Sequence, residues 1–536
     1  MAAMIVCPQP LAAEAGLEVL RRGGNAVDAA VTTAFCQGVV DPQMCGIGGS
    51  GLMLVHRAER RVTETIEFHA RAGLQVRPDQ WEAIFVKESA DRYNFVVEGG
   101  VNDAGYQSVA VPGTVAGLAL ALERHGTITW AEALSPAIGL AAGGFPVSAS
   151  LRASWLGELS PDQLPMGERI QVTAAAKAVY TNRGRLKELG EPLVQADYAR
   201  TLETLAAQGP ETFYRGELAA RIAADFQANA GFISAEDLAG YRAEVTAPLE
   251  SSYRGLSVLA PPPPAGGLPL LQMLNFLEGY DLAALEWPSL EAARLRVEAM
   301  GWAFADRERH LADPRFAEVP VERLLDKRYA EAARARVAAG ERFAGRPPVD
   351  APSTTHVCVI DGAGDAVSLT HTLGSSSGVV TEGLGFGYNN YLNCFDPRPG
   401  RVNSLAPGKT RITMMVPTIV FDEGGRVRAV AGAPGGTKIV TGVLQTLLNA
   451  FDHRMSPVEA VSAPRIDYQA ELVQAEGRVP LAVLAGLREA GYSVNRRPQN
   501  YDWYFANAQL ITVGPDGELR GASDPRKDGG AAYRLD

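Results

Sequence analysis

The chain has 536 residues and a mass of 56.9 kDa, room for about three modules of 100–200 residues or for one large interlocked unit. Its 46% hydrophobic and 21% charged residues describe a folded globular protein and exclude intrinsic disorder. A formal net charge of -11 argues against a nucleic-acid partner, and no apolar run reaches the roughly 18–20 residues a membrane helix needs.

The N-terminus, Met1 to Pro8, has no basic segment followed by an apolar one, so no signal peptide is read and a cytoplasmic location is expected. Apolar spacing predicts helices over 10–22 and 25–38, with Gly23-Gly24 as the stop between them. Gly46-Ile47-Gly48-Gly49-Ser50-Gly51 fits the letters of a dinucleotide fingerprint. That fingerprint opens a helix, whereas Leu52 to His56 reads as a strand, so a tight turn with close backbone packing is the better reading. Further helices are predicted over 114–124, 130–142, 197–207, 216–229, 267–278 and 290–311. Pro261-Pro262-Pro263-Pro264-Ala265-Gly266-Gly267 cannot be helical and fits a rigid corner.

Character changes at Gly340 to Ser353, a polar, Pro-rich linker. Beyond it, strands are predicted at 355–361, 365–373, 385–391, 415–421, 427–432, 508–513 and 518–521, with helices at 438–451 and 480–490. Gly408-Lys409-Thr410 resembles the end of a phosphate-binding loop, but Asn403 stands where its first glycine belongs. The five cysteines show no CxxC and the seven histidines no HExxH, so buried thiols are expected and no cofactor or catalytic metal.

The sharpest feature lies where the linker meets the first strand, at Ser353-Thr354-Thr355-His356. A hairpin turning on Asp361-Gly362-Ala363-Gly364-Asp365 pairs Val359 with Val367 and Val357 with Leu369. The same register sets Thr354 against Thr372, two hydroxyls facing each other at the mouth of a linker. Threonine at a strand start is ordinary β-propensity. The functional reading is self-cleavage before Thr354. The freed α-amine, titrating near 7.7–8.0, would then serve as a base for its own hydroxyl. Strand 427–432 runs into Gly432-Ala433-Pro434-Gly435-Gly436-Thr437 and a helix, a glycine turn whose free N–H groups suit an oxyanion.

These motifs, with Gly23 to Ala30, Val111-Pro112-Gly113-Thr114, Ala305-Asp306-Arg307 and Ser523-Asp524-Pro525-Arg526, resemble those of the γ-glutamyltransferases, which are N-terminal-nucleophile hydrolases. The likeness spans nearly the whole chain. It implies an α+β fold, a four-layer αββα sandwich made as one precursor. Cleavage between Ser353 and Thr354 would leave a large, mostly helical subunit, 1–353, and a small, strand-rich one, 354–536. The two would stay associated as a heterodimer, with further dimerisation open. The resemblance implies Thr354 as nucleophile, Thr372 as the residue that orients it, and Gly435 and Gly436 as the oxyanion hole.

At the pocket for the γ-glutamyl headgroup the chain departs from the family pattern. His69 stands where the carboxylate-binding Arg is expected, with Arg71 two residues on as a substitute. Gly374 replaces an Asn two residues after Thr372, and Tyr391 replaces a Gln after Asn389-Asn390. Cys394 replaces an acid, and Thr413-Met414 replace a Ser-Ser pair. The loop from Phe395 to Lys409 is short, implying an open cleft. The reading is a self-processing amidase or acyltransferase acting on a small-molecule amide whose acyl group is not a standard γ-glutamyl unit. One rival is an ordinary glutathione hydrolase and γ-glutamyl transpeptidase using Arg71 and Asp396. The other is a non-cleaving binding protein with the same fold.

Overall fold

Ala3–Cys7, Thr355–Ile360 and Ala366–Thr372 are buried along their whole length, which a strand tolerates only when both faces of its sheet are covered. These strands sit near the middle of a seven-stranded sheet. Its order is Glu244–Thr246, Val62–Phe68, Ser50–Arg57, Ala366–Thr372, Thr355–Ile360, Ala3–Cys7, Ala531–Leu535, and every neighbouring pair is antiparallel. The computed structural model describes residues 2–88, 94–157, 162–343, 354–469, 471–527 and 530–535.

A second antiparallel sheet has six strands, in the order Leu249–Tyr253, Leu256–Ala260, Thr418–Phe421, Val427–Gly432, Gln509–Val513, Leu519–Ser523. The two sheets face each other across a core of Met4, Val6, Leu54, Cys358, Ile360, Ile419, Val430 and Ile511. Truncating one such residue, Ile511→Ala for example, would cost about 2–5 kcal/mol. Helices cover both outer faces. Ala26–Val40, Trp130–Gly143 and Ala196–Gln208 contribute to the core outside the first sheet. Gly267–Leu277, Leu290–His310 and Ile439–Phe451 cover the second. The result is the αββα sandwich expected.

The halves on either side of residue 353 are woven together. Ala3–Cys7 is hydrogen-bonded between Thr355–Ile360 and Ala531–Leu535, so a strand from one half lies between two of the other. Each sheet draws on both halves, and a chain break before Thr354 would not separate them. Ser353 itself lies outside the described residues, as does the linker over 344–353.

The predicted helices and the Asp361–Asp365 hairpin are present. Thr355 pairs with His371, Val357 with Leu369 and Val359 with Val367, the register expected. The helix Ala26–Val40 starts on a capping box, in which Asn25 Oδ1 accepts from Val27 and Asp28 N–H and Asp28 accepts from Asn25 N–H. The strand predicted over 385–391 is absent. Only isolated bridges form there, Val380 with Gly387 and Gly48 with Tyr388, before a 3₁₀ turn over Tyr391–Cys394. Gly385 at φ 75 breaks the extended chain. The Asn389 side chain then supplies the bonds a neighbouring strand would have made, donating to Gly48 and Ala110 O and accepting from Ala110 N–H.

Candidate active site

Thr354 stands at the head of Thr355–Ile360 and Thr372 at the end of Ala366–Thr372, so the hairpin register alone brings them side by side. Thr354 Oγ1 donates to Thr372 Oγ1 at 2.9 Å. Thr372 Oγ1 also accepts from Gly374 N–H at 2.9 Å, which fixes its rotamer. Thr354 is 4% exposed and has φ 103, a conformation that is a true outlier for a β-branched residue and costs about 1–3 kcal/mol.

Gly46–Gly51 is the seat on which Thr372 rests. A Cβ on Gly49 would lie 2.1 Å from Thr372 O, one on Gly48 2.3 Å from Gly387 O, and one on Gly51 2.5 Å from Thr370 O. These glycines serve close backbone approach, in agreement with the strand Ser50–Arg57 that follows them. Tyr391 locks the same corner, its hydroxyl donating to Thr372 O at 2.9 Å and accepting from Ser50 Oγ at 3.0 Å.

Across the cavity, Val427–Gly432 leads through Gly435, at φ 142, and Gly436, at φ 58, into the helix Ile439–Phe451. Neither backbone N–H has a hydrogen-bond partner among the described residues, and Gly436 shares the cavity wall with Thr354. Such a turn offers N–H donors at a helix start. Gly435 packs against Ala506, where a Cβ would fall 2.7 Å from Ala506 Cα. Asn507 N–H donates to Pro434 O, and Arg465 donates to Phe505 and Ala506 O, so the turn rests on a rigid support. Asp524 and Arg526, from the Ser523-Asp524-Pro525-Arg526 motif, belong to that support. Asp524 pairs with Arg465 and accepts from Ala508 N–H, and Arg526 bridges Asp524 and Glu476.

The two histidines beside Thr354 are unsuited to act as a base at neutral pH. Burial pushes His356 and His371 down to about 3. His356 Nδ1 is tied to Thr370 Oγ1 at 2.8 Å and His371 Nε2 to Gln37 Oε1 at 2.9 Å. A group with so low a pKa accepts protons poorly at neutral pH.

The cavity at Thr354 spans about 400 Å³, a volume that includes its opening to solvent. Its wall includes Thr372, Gly374, Asn390, Tyr391, Cys394, Thr413 and Met414, all singled out in the sequence. Gly374, at φ 67, has no room for a side chain. A Cβ there would lie 2.5 Å from Asn390 Oδ1 and 2.9 Å from the Tyr391 ring. Both Asn390 Oδ1 and the Tyr391 ring therefore stand in the way of a side chain at 374. The proline corner props the far wall, with Thr413 N–H donating to Pro264 O at 2.9 Å and Gly266 N–H to Met415 O at 3.1 Å.

His69 and Arg71 do not reach this cavity. They line a separate, larger one with Glu67, Glu244, Asp313, Arg315 and Pro262–Pro264. There His69 Nε2 is 3.2 Å from Glu67 Oε2, and Arg71 pairs with Glu244. The segment from Thr410 to Thr413 lies between, with Thr410 in one wall and Arg411 and Thr413 in the other. Asp396 is also outside, held by Arg398 at 2.7 Å. The loop beyond Cys394 folds back as Phe395 and Leu405 pack with Tyr391, Leu392 and Trp81.

Arg411 was missed in the sequence. It is 7% exposed and, among the described residues lining the cavity, it is the one charged side chain. Its guanidinium lies 4.0 Å from the Tyr391 ring centroid. A signal existed, because residues two apart on an extended segment share a face, and 411 is two before Thr413.

The geometry agrees with comparison to known proteins. The Gamma-glutamyltranspeptidase family model matches residues 12–534. The Acylase ACY 1 proenzyme of Pseudomonas sp. (strain V22) is 39% identical over 537 residues, 98% of this chain and 92% of that protein. The Glutathione hydrolase proenzyme of Escherichia coli (strain K12) is 34% identical, over 98% of this chain and 90% of that one. Among solved structures, cephalosporin acylase from Bacillus halodurans superposes with a TM-score of 0.88 at 29% identity, covering 99% of this chain and 95% of that one. The chain belongs to the gamma-glutamyltranspeptidase family.

Proposed function

We propose that this protein is a self-processing amidohydrolase and acyltransferase with Thr354 as nucleophile. In the precursor Thr354 Oγ attacks the Ser353 carbonyl, the 353–354 C–N bond breaks, and the acyl group moves to oxygen. Water then hydrolyses that ester, leaving a carboxylate on Ser353 and a free α-amine on Thr354. Strain at Thr354 φ 103 favours the step, since it is stored beside the bond that breaks.

In the mature enzyme the α-amine takes the hydroxyl proton as Oγ attacks a substrate amide. The Gly435–Gly436 turn faces the developing oxyanion, and the proton passes to the departing amine. Water or a second amine then resolves the acyl-enzyme. The observation that carries this reading is the 2.9 Å contact of Thr354 and Thr372 hydroxyls in the wall of a cavity shared with Gly436.

The acyl group is not the standard γ-glutamyl unit. A γ-glutamyl headgroup needs a cation for its carboxylate and an acid for its ammonium. Arg71 and Asp396, the replacements a glutathione hydrolase would require, are both paired elsewhere. Relatives bearing both acylase and glutathione hydrolase names fit a scaffold whose acyl pocket varies. The test is mass spectrometry of purified, active protein. A small subunit beginning at Thr354 that gains the mass of the acyl group supports the reading, and an intact 353–354 bond in active material rejects it.

A further inference from the structure

Resting on the reading of Thr354 as nucleophile, we propose that Lys527 tunes the base of the reaction. Its buried ammonium keeps the α-amine of Thr354 in the neutral, proton-accepting form, and Asp41 holds Lys527 in place. Lys527 acts through that amine and touches no substrate.

Thr354 is the single residue common to the wall of the cavity described above and that of a second, smaller one, about 240 Å³ with its opening to solvent. The second is lined by Met44, Pro434, Trp503, Asn507, Arg526 and Lys527. Thr372, the partner of Thr354 Oγ1, lines the first and not the second, so Lys527 stands apart from the hydroxyl pair. Lys527 is 6% exposed and Asp41 4%, and Nζ pairs with Asp41 Oδ2. The pair ties two layers together. Lys527 follows the strand Leu519–Ser523 of the second sheet, and Asp41 follows the helix Ala26–Val40 outside the first. From Asp41 a chain of side chains returns to the head of the strand Thr355–Ile360. Gln9 Nε2 donates to Asp41 Oδ2 at 2.7 Å and to Thr355 Oγ1 at 2.9 Å. The ammonium thus shares a cavity with Thr354 and lies three hydrogen bonds from the side chain of the next residue.

An amine near a fixed positive charge gives up its proton more readily, because the ammonium form is repelled, and burial acts in the same direction. In a buried wall that repulsion is far less damped than in water. The other charges around Thr354 leave the sign in place. Arg526 is balanced by Asp524 and Glu476, and Lys438 faces Asp467. Arg411, in the first cavity, is a further cation. His356 and His371, pushed down to about 3 by burial, are uncharged at neutral pH. So are the thiols of Cys7 and Cys45, pushed up by burial. Asp41 opposes Lys527 but lies outside both walls. An ordinary α-amine, titrating near 7.7–8.0, is mostly protonated at pH 7, so lowering that value supplies more of the base. Before cleavage the same nitrogen is an amide and does not titrate, so processing itself does not need the charge.

The test uses purified, processed enzyme. Carbamoylation of the small-subunit N-terminus by cyanate, read by mass spectrometry across pH, titrates the α-amine without turnover. In wild type it should titrate about one pH unit or more below the ordinary 7.7–8.0. Lys527→Met and Lys527→Gln should raise that value by about one unit, and Lys527→Arg, which keeps the charge, should leave it near wild type. The acid limb of kcat/KM, measured with the fastest of the γ-glutamyl, glutaryl and butyryl p-nitroanilides, should move by the same amount. The neutral variants should then lose about tenfold at pH 6 and equal wild type at pH 9, whereas a purely structural tether would lower turnover equally at every pH. Both should still cleave before Thr354. An ordinary amine in wild type, no upward shift in the neutral variants, a rate loss equal across pH, or loss of cleavage in them overturns the proposal. A different result, active protein with the 353–354 bond intact or anilide turnover by Thr354→Ala, removes the nucleophile reading instead.

Discussion

Gly374 packs against the Tyr391 ring: a β-carbon on the glycine would stand 2.9 Å from Cε1 of the tyrosine and 2.5 Å from Asn390 Oδ1. The Tyr391 hydroxyl in turn donates to Thr372 O and its ring carries Arg411 on its face, so Thr372 and the cavity's charge are linked through one side chain. Gly374→Asn, the family residue, should therefore destabilise the protein by about 1–3 kcal/mol. Tyr391→Gln in the same chain should recover part of that loss. Urea unfolding of both singles and the double gives the coupling, and additive effects would contradict that packing.

The proposed processing requires the Thr354 hydroxyl. Denaturing gels of wild type should show two bands near roughly 37 and 19 kDa, the 56.9 kDa chain divided in proportion to 353 and 183 residues. Thr354→Ala should give one full-length band and no turnover. Native mass spectrometry of processed wild type should still find one particle, since Ala3–Cys7 lies between strands of the other half.

Thr372→Val keeps the shape and removes the acceptor of two hydrogen bonds, from Thr354 Oγ1 and Gly374 N–H. Turnover should fall about 10²-fold or more. The loss should appear in kcat with KM little changed if Thr372 orients the attacking oxygen, as proposed. A loss confined to KM would assign Thr372 to substrate binding.

The Gly435–Gly436 turn, the proposed oxyanion site, tolerates no side chain at Gly435. Its φ is 142 and a methyl would meet Ala506 at 2.7 Å. Gly435→Ala should shift the N–H donors and lower kcat by about 10²–10³. If the variant keeps its melting temperature and wild-type kcat, the turn is not the oxyanion site.

Acid should weaken the fold before carboxylates titrate. His356 and His371 have a pKa of about 3 in the fold against 6.5 when unfolded. Between those values the unfolded chain binds more protons, so stability is complete above pH 6.5 and falls as pH drops toward 3. Burial lowers His56, His125, His310 and His453 in the same direction. His371→Gln should remove about one proton from the slope of unfolding free energy against pH between 5 and 6.5, measured by urea titration.

Much of the architecture is legible in the sequence because it is local. Helix periods, the glycine stop after residue 22, the hairpin turn and the alternation that fixes its register all depend on residues close in the chain. That register suffices to set Thr354 beside Thr372. The strand predicted over 385–391 fails for the opposite reason, since Asn389 satisfies backbone groups at Gly48 and Ala110, far away in sequence.

The sequence by itself placed Thr354 beside Thr372, because register is a one-dimensional property once the turn is known, and the fold class followed from the resemblance its motifs carry. Which cation shares a cavity with Thr354 was decided only in three dimensions. The two-residue spacing groups His69 with Arg71 and Arg411 with Thr413, but it does not say which wall each pair joins. The 410–413 segment, pinned to the proline corner through Thr413 and Pro264, turns Arg411 inward and leaves Arg71 to Glu244.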